Sequence, residues 1–330
     1  MNCYFRTKGR SLRKQNMQKT HSLSEILGIK FPIIVAPMFL VSNEEMVVQS
    51  CENGATAAIP ALNYRTYDEL RVAIQNIKNR TSKPFGINLI VNKSNPKYKK
   101  QLEVLLDEKV DYIITSLGSP EEIINQCKPL GIKVFCDVVD LTYALKVEKL
   151  GADGVIAVNN KAGGHCGPTD RDKLLKELSQ NITIPIISAG GVTNKADVEN
   201  AINSGACGVS VGTIFLAAEE APISDAYKQA LIDYGEKDIV LSTKISGSHL
   251  TVINTPYVQK IGTKASWLEK LMKKNKWLKK YIKLFIALKG MNMIRKSAFQ
   301  ATYNTVWCAG PAIEDVKSVR SLKEILSDLT

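Results

Sequence analysis

The chain has 330 residues, 45% of them hydrophobic and 23% charged, which suits a globular protein with one sizeable domain and an appendage. No apolar run approaches the ~20 residues of a membrane-spanning helix, and the longest candidate, 33–41, is broken by Pro37. The net charge of +12 sits mostly in two places: residues 1–24 carry six basic side chains and no acid, and residues 260–296 carry twelve against Glu269 alone. The rest is mildly acidic, so the basic balance gives no reason to expect nucleic-acid binding, and no reading motif is present. Seven cysteines lack CxxC spacing, which points to free thiols in a reducing compartment, the cytoplasm, and no metal-ligand cluster can be read.

Residues 1–24, Arg-rich and acid-free, read as a disordered basic tail rather than a transit peptide. Eight short apolar, β-branched runs then recur: Pro32–Ala36, Ala55–Ile59, Phe85–Ile90, Tyr112–Thr115, Val134–Asp137, Gly154–Val158, Ile184–Ala189 and Gly208–Val211. Each is continuously apolar, as expected for parallel strands buried on both faces. Helical spacing falls between them at Glu44–Asn53, Leu102–Lys109, Pro120–Cys127, Tyr143–Leu150, Leu174–Gln180 and Lys195–Ser204. Strand–helix alternation eight times over predicts an α/β fold, a (β/α)8 TIM barrel over 25–218. An open doubly wound sheet is disfavoured because Ala36-Pro37-Met38 stands where a glycine fingerprint would follow the first strand. Residues 219–330 read as a mainly helical extension or lid. It has helical spacing at Asp225–Tyr234, an extended run at Ile239–Ile245, a lysine-rich amphipathic helix from Trp267 to Leu288, and one more helix within Val319–Leu329.

Active sites of such barrels are built where strands end. After the seventh run stand Gly190 and Gly191, and after the eighth Gly212 and Thr213, paired turns whose backbone N–H groups suit a phosphate. After the sixth comes Asn159-Asn160-Lys161-Ala162-Gly163-Gly164-His165-Cys166-Gly167. Its glycines permit close approach to a flat ring and carry His165 into the mouth, where a neutral imidazole can take a proton or bind an anion. Cys166 raises a thiol mechanism as a weaker alternative.

Six segments arrive in register: Pro32-Ile33-Ile34-Val35-Ala36-Pro37-Met38, Phe85-Gly86-Ile87-Asn88-Leu89, Thr115-Ser116-Leu117-Gly118, Ala162-Gly163-Gly164-His165, Ala189-Gly190-Gly191-Val192 and Val211-Gly212-Thr213-Ile214-Phe215. Together they resemble the nitronate monooxygenase (2-nitropropane dioxygenase) family over about residues 24–262. The resemblance implies an FMN enzyme that oxidises alkyl nitronates, small anionic substrates, with oxygen to a carbonyl compound and nitrite. It implies Pro37 and Met38 beside the isoalloxazine ring, Asn88 hydrogen-bonded to it, and Ser116, Gly163 and Gly164 at its border. Gly190, Gly191, Gly212 and Thr213 would hold the phosphate, with His165 catalytic. Lys161 and Val158 depart from the glutamate and glutamine the family often carries there, which bears on the substrate more than on the flavin.

The nearest alternative is an FMN- and NAD(P)H-dependent enoyl-acyl-carrier-protein reductase of the flavin-barrel type, which shares the Gly-Gly-His turn and phosphate loops. An alternative from another class is a flavin-binding protein held weakly at a membrane surface through 264–290, where Trp267 and Trp277 face lysines. A lid helix packed on the barrel accounts for the same pattern. The oligomeric state is not readable from the sequence.

Overall fold

The computed structural model describes residues 21–92, 95–243, 249–264, 288 and 306–330. In chain order the strands are β1 (Ile33–Val35), β2 (Thr56–Pro60), β3 (Gly86–Ile90), β4 (Tyr112–Ser116), β5 (Lys133–Val138), β6 (Gly154–Val158), β7 (Gly164–His165), β8 (Ile186–Ala189), β9 (Gly208–Val211), β10 (Ile239–Ser242) and β11 (Leu250–Ile253). Strands β1 to β6, β8 and β9 form a closed parallel barrel, sealed where Ile33 to Val35 pair with Val209 to Val211. The eight apolar runs are these eight strands. The fold is a TIM barrel, and its antiparallel appendage is the small sheet β10-β11-β7.

Helices α2 (Glu44–Glu52), α3 (Tyr67–Arg80), α4 (Tyr98–Asp107), α5 (Glu121–Cys127), α6 (Leu141–Lys149), α7 (Arg171–Asn181) and α8 (Lys195–Asn203) alternate with the strands. Side-chain oxygens of Asn43, Thr66, Asp140, Asp170 and Asn194 cap five of them, each accepting from a first-turn backbone N–H. Helix α3 falls in a stretch where no helix is expected from the sequence. Its Thr66–Glu69 capping box starts it, and Leu70, Ala73, Ile74 and Ile77 make its buried stripe.

The strands bury both faces, and alternation sorts them. Ile34, Ala58, Tyr112, Ile114, Phe135, Ile156, Ile187 and Ala189 fill the inside, while their neighbours Ile33, Val35, Ala57, Ile59, Ile113, Val134 and Val155 pack under the helices. Gly86 makes room for this filling, since a Cβ there would lie 2.1 Å from the Tyr112 ring. Tyr112 in turn meets Phe135 edge-on, with ring centroids 5.6 Å apart. The barrel is therefore a packed core, and any ligand must sit on its end.

The amino-terminal end is closed by α1 (Leu23–Leu27), whose buried Leu23 and Leu27 join the inner cluster. This helix begins inside the range read as the basic tail. The Ser22–Glu25 capping box nucleates it, and a hydrogen bond from Leu23 N to Cys207 O docks it. Beyond the barrel come α9 (Asp225–Asp233), α10 (Pro256–Ile261) and α11 (Leu322–Ser327). Helix α11 packs Leu322, Ile325 and Leu326 into the core that the barrel helices share. The lysine-rich helix expected from Trp267 lies outside the described residues, apart from Leu288. Among the described residues no helix is long and apolar enough to cross a membrane.

Candidate active site

Extending the inward-facing rows by one step gives the floor of the barrel's carboxyl-terminal mouth: Ala36, Pro60, Asn88, Ser116, Asp137, Val158, Ala189 and Gly212. Five are small or apolar without hydrogen-bonding side chains, and the three polar ones sit on adjacent strands β3, β4 and β5. Asn88 Nδ2 donates to Ile114 O at 3.2 Å and to Ser116 Oγ at 2.8 Å. Ser116 Oγ donates to Asp137 Oδ2 at 2.5 Å. The floor is thus largely apolar with one polar edge, which suits a ring system with polar groups on one side. Asp137 keeps some surface open to the mouth, yet burial pushes its pKa up to about 6, with the Ser116 hydrogen bond partly offsetting the rise.

Three glycine-rich turns meet on the opposite side. Asn159, buried at the end of β6, accepts from Lys161 N at 2.8 Å and donates to Gly190 O at 2.9 Å, so one side chain ties two turns together. A Cβ on Gly190, at φ +111°, would lie 2.4 Å from Asn159 Oδ1 and 2.6 Å from Ala162 N. Gly191 is overlaid by the aliphatic stem of Lys161. A Cβ on Gly163 would lie 2.8 Å from Thr213 Oγ1 and 3.0 Å from Gly310 N. Gly310 N itself donates to Thr213 Oγ1 at 3.0 Å. Gly163 and Gly190 therefore have a packing reason to be glycine. Gly212 differs, because a Cβ there would meet only Ala36 and Met38, at 3.6 Å and beyond. Pro37 and Met38 come to Gly212 through the β1–β9 pairing, and Met38 N is held by Ser42 Oγ at 2.8 Å.

His165 sits on β7, where it pairs with Leu250 of β11. The Thr251 hydroxyl lies 3.0 Å from Ala162 O and 3.2 Å from Gly164 O, bracing the turn that presents the imidazole. The ring is exposed along the mouth, but surrounding protein displaces most bulk water, and this desolvation lowers its pKa. The shift favours the neutral imidazole. Cys166 beside it is pushed up by burial, so its thiol stays protonated, which argues against the thiol mechanism. The six described cysteines are all unpaired, and no group of three His, Cys, Asp or Glu that could hold a metal is found among the described residues.

The expected residues thus gather in three groups: Asn88 with Ser116; Pro37 and Met38 with Gly212; and Gly163, Gly164, Gly190, Gly191 and Thr213 around the β6, β8 and β9 turns. His165 overhangs from β7, with no described hydrogen bond to Asn88 or Ser116. Asp137, Asn159, Thr251 and Gly310 were not anticipated. Asp137 and Asn159 end barrel strands, a signal already used for their neighbours. Thr251 and Gly310 reach the site through contacts 87–97 positions away in the chain and carry no local signature.

The family model described as nitronate monooxygenase matches residues 20–98 and 92–330. The chain belongs to the nitronate monooxygenase family. It is accordingly a flavin-dependent oxidoreductase. A Staphylococcus haemolyticus protein named "Probable nitronate monooxygenase" is 27% identical over 288 residues, covering 74% of this chain and 80% of that one. A second relative is the (3aS,4S,5R,7aS)-5-hydroxy-7a-methyl-1-oxo-octahydro-1H-indene-4-carboxyl-CoA dehydrogenase of Rhodococcus jostii. It is 30% identical over 240 residues, covering 73% of this chain and 67% of the relative. Among solved structures, FabK from Thermotoga maritima superposes with a TM-score of 0.81 at 26% identity, over 93% of this chain and 94% of that one. A nitroalkane oxidase from Streptomyces ansochromogenes gives 0.79 at 21% identity, over 93% and 96%, a likeness of fold.

Proposed function

We propose that this member of the nitronate monooxygenase family holds FMN on the floor of the barrel mouth and oxidises alkyl nitronates with oxygen to a carbonyl compound and nitrite. The observation that carries the reading is the juxtaposition of a largely apolar floor with one polar edge, interlocked glycine turns on the other side, and a histidine carried by β7 directly after the β6 turn. Gly190, Gly191, Gly212 and Thr213 would take the phosphate through backbone N–H groups, with Gly212 leaving its α-carbon face uncrowded. Pro37 and Met38 would flank the ring, Asn88 and Ser116 would meet its polar edge, and Gly163 and Gly164 would border it. When bound, FMN supplies a two-electron acceptor and the centre at which oxygen reacts. His165 orients the anionic nitro group by hydrogen bonding and, being neutral, is also free to accept a proton from a carbon acid. The apolar half of the floor and the filled barrel beneath it exclude water from below.

A second reading, thioester chemistry such as enoyl-acyl-carrier-protein reduction, draws on the relative named as an indene-carboxyl-CoA dehydrogenase and on the rim. Leu117, at φ +57°, and Val139 stand exposed where β4 and β5 end, offering an apolar chain a surface beside the site. One anaerobic experiment separates the two. Bleaching of the flavin by a nitronate, with nitrite released once oxygen is admitted, supports the oxygenase. Rapid bleaching by NADH or NADPH without response to nitronates supports the reductase.

A further inference from the structure

Asp137 is the ionisable side chain of the floor, the chemistry above does not use it, and its hydrogen-bond chain has a direction. Asn88 turns its amide nitrogen toward Ile114 O, a carbonyl that only accepts, at 3.2 Å, the longer of its two bonds. The same nitrogen donates to Ser116 Oγ. Ser116 has a single hydroxyl proton, and an ionised Asp137, which only accepts, claims it. Both Asn88 amide protons are then engaged, and the oxygen Oδ1, an acceptor, is what Asn88 has left to offer a ligand. A protonated Asp137 can instead donate to Ser116, which frees the hydroxyl proton to point at Asn88 and leaves the amide held in that orientation by the longer bond to Ile114 O alone.

We propose that Asp137 is a positioning residue that sets, through Ser116, which face of the Asn88 amide meets the ligand, so that the floor selects a ring edge that donates a hydrogen bond. The imide N–H of a flavin is such an edge, and in this respect the inference rests on the flavin reading. The surroundings leave the carboxylate in charge of the chain. Strand β6 faces it with Ile156 and Ala157 in register, and α5 packs toward the barrel with Ile123, Ile124 and Cys127. From α6 the titratable neighbour is Tyr143, whose pKa is raised by burial and also by the charges of Cys136 and Asp137. Around the mouth the other ionisable side chains are His165, Cys166 and Lys161, and no Lys or Arg among the described residues forms an ion pair with Asp137. Burial brings the group within reach of mild acid.

The test is a fluorescence titration of FMN into apoprotein between pH 5 and pH 8 for the wild type and Asp137→Asn, with circular dichroism to verify folding. The phosphate of FMN titrates alike in both, so the ratio of variant to wild-type Kd is the quantity to read. We expect that ratio to be about 3- to 10-fold at pH 8, the worth of one hydrogen bond, and to fall toward one at pH 5. 3-Methyl-FMN, which lacks the imide proton, should give a ratio near one throughout. A ratio independent of pH, or the same ratio for 3-methyl-FMN, overturns the role given to Asp137 and leaves the flavin reading intact. A wild type that binds no FMN at any pH removes that reading, and this inference with it.

Discussion

His165 is presented by two residues of strand, braced from behind by Thr251 and stripped of much of its solvent. His165→Ala should therefore retain FMN while losing about 10²- to 10⁴-fold in turnover, the span of general acid–base and oriented hydrogen-bond effects, as read by flavin content and steady-state kinetics side by side. Because burial lowers the imidazole's pKa, the acid limb that it imposes on kcat/KM should lie below pH 6.5. Asp137 shifts the other way, from an ordinary 3.8 up to about 6. An acid whose folded pKa exceeds its unfolded value binds its proton more readily in the folded state. The folded chain is then fully penalised above about pH 6, and the penalty shrinks as pH falls from 6 and is gone below about 3.8. Asp137→Asn should stabilise the apoprotein at pH 8 by on the order of 1–3 kcal/mol and do far less at pH 4, measured by urea unfolding. Equal effects at both pH values would mean that the carboxylate is well solvated.

At the scale of elements, the turns after β6, β8 and β9 are packed against one another before any ligand is considered. Gly163→Ala would drive a methyl into Thr213 Oγ1 and Gly310 N, so it should cost about 1–3 kcal/mol of stability. Gly212→Ala meets only ordinary contacts within the protein and should melt like the wild type while binding FMN more weakly. If thermal shift and FMN titration showed the reverse pattern, the phosphate would have been placed at the wrong turn. The strands were legible because each is apolar on both faces. The strand ends pointed to His165 and the glycine pairs, whereas Asn88 and Ser116 were named through the family resemblance. Helix α3 was not read, although Thr66, Glu69 and the stripe Leu70, Ala73, Ile74 and Ile77 carry an ordinary helix signal. Gly163 was read as making room for a ring and Gly190 for a phosphate, and neighbouring parts of the chain turned out to occupy the Cβ side of each. A glycine announces a close approach without saying what approaches.

At the scale of the molecule, chain far from the barrel strands completes the mouth. Strand β11 supplies the partner of β7, and residues 306–310 run past the β6 turn, where Gly310 reaches Thr213. That run is anchored by Trp307, buried and stacked on Tyr227 with ring centroids 5.4 Å apart, and by Tyr227 Oη donating to Cys308 O at 2.6 Å. Trp307→Ala should cost about 3–5 kcal/mol of stability and weaken FMN binding along with it, since Gly310 is carried by the same run. Unaltered FMN affinity in a destabilised Trp307→Ala protein would separate the anchor from the site. These couplings had no local signature in the sequence, because they depend on where the chain returns to the barrel.

The most direct test of the whole account is the flavin content of the purified protein. The account predicts a yellow protein that releases FMN, and not FAD, on denaturation, at close to one per chain. A colourless protein that takes up no added FMN would contradict it.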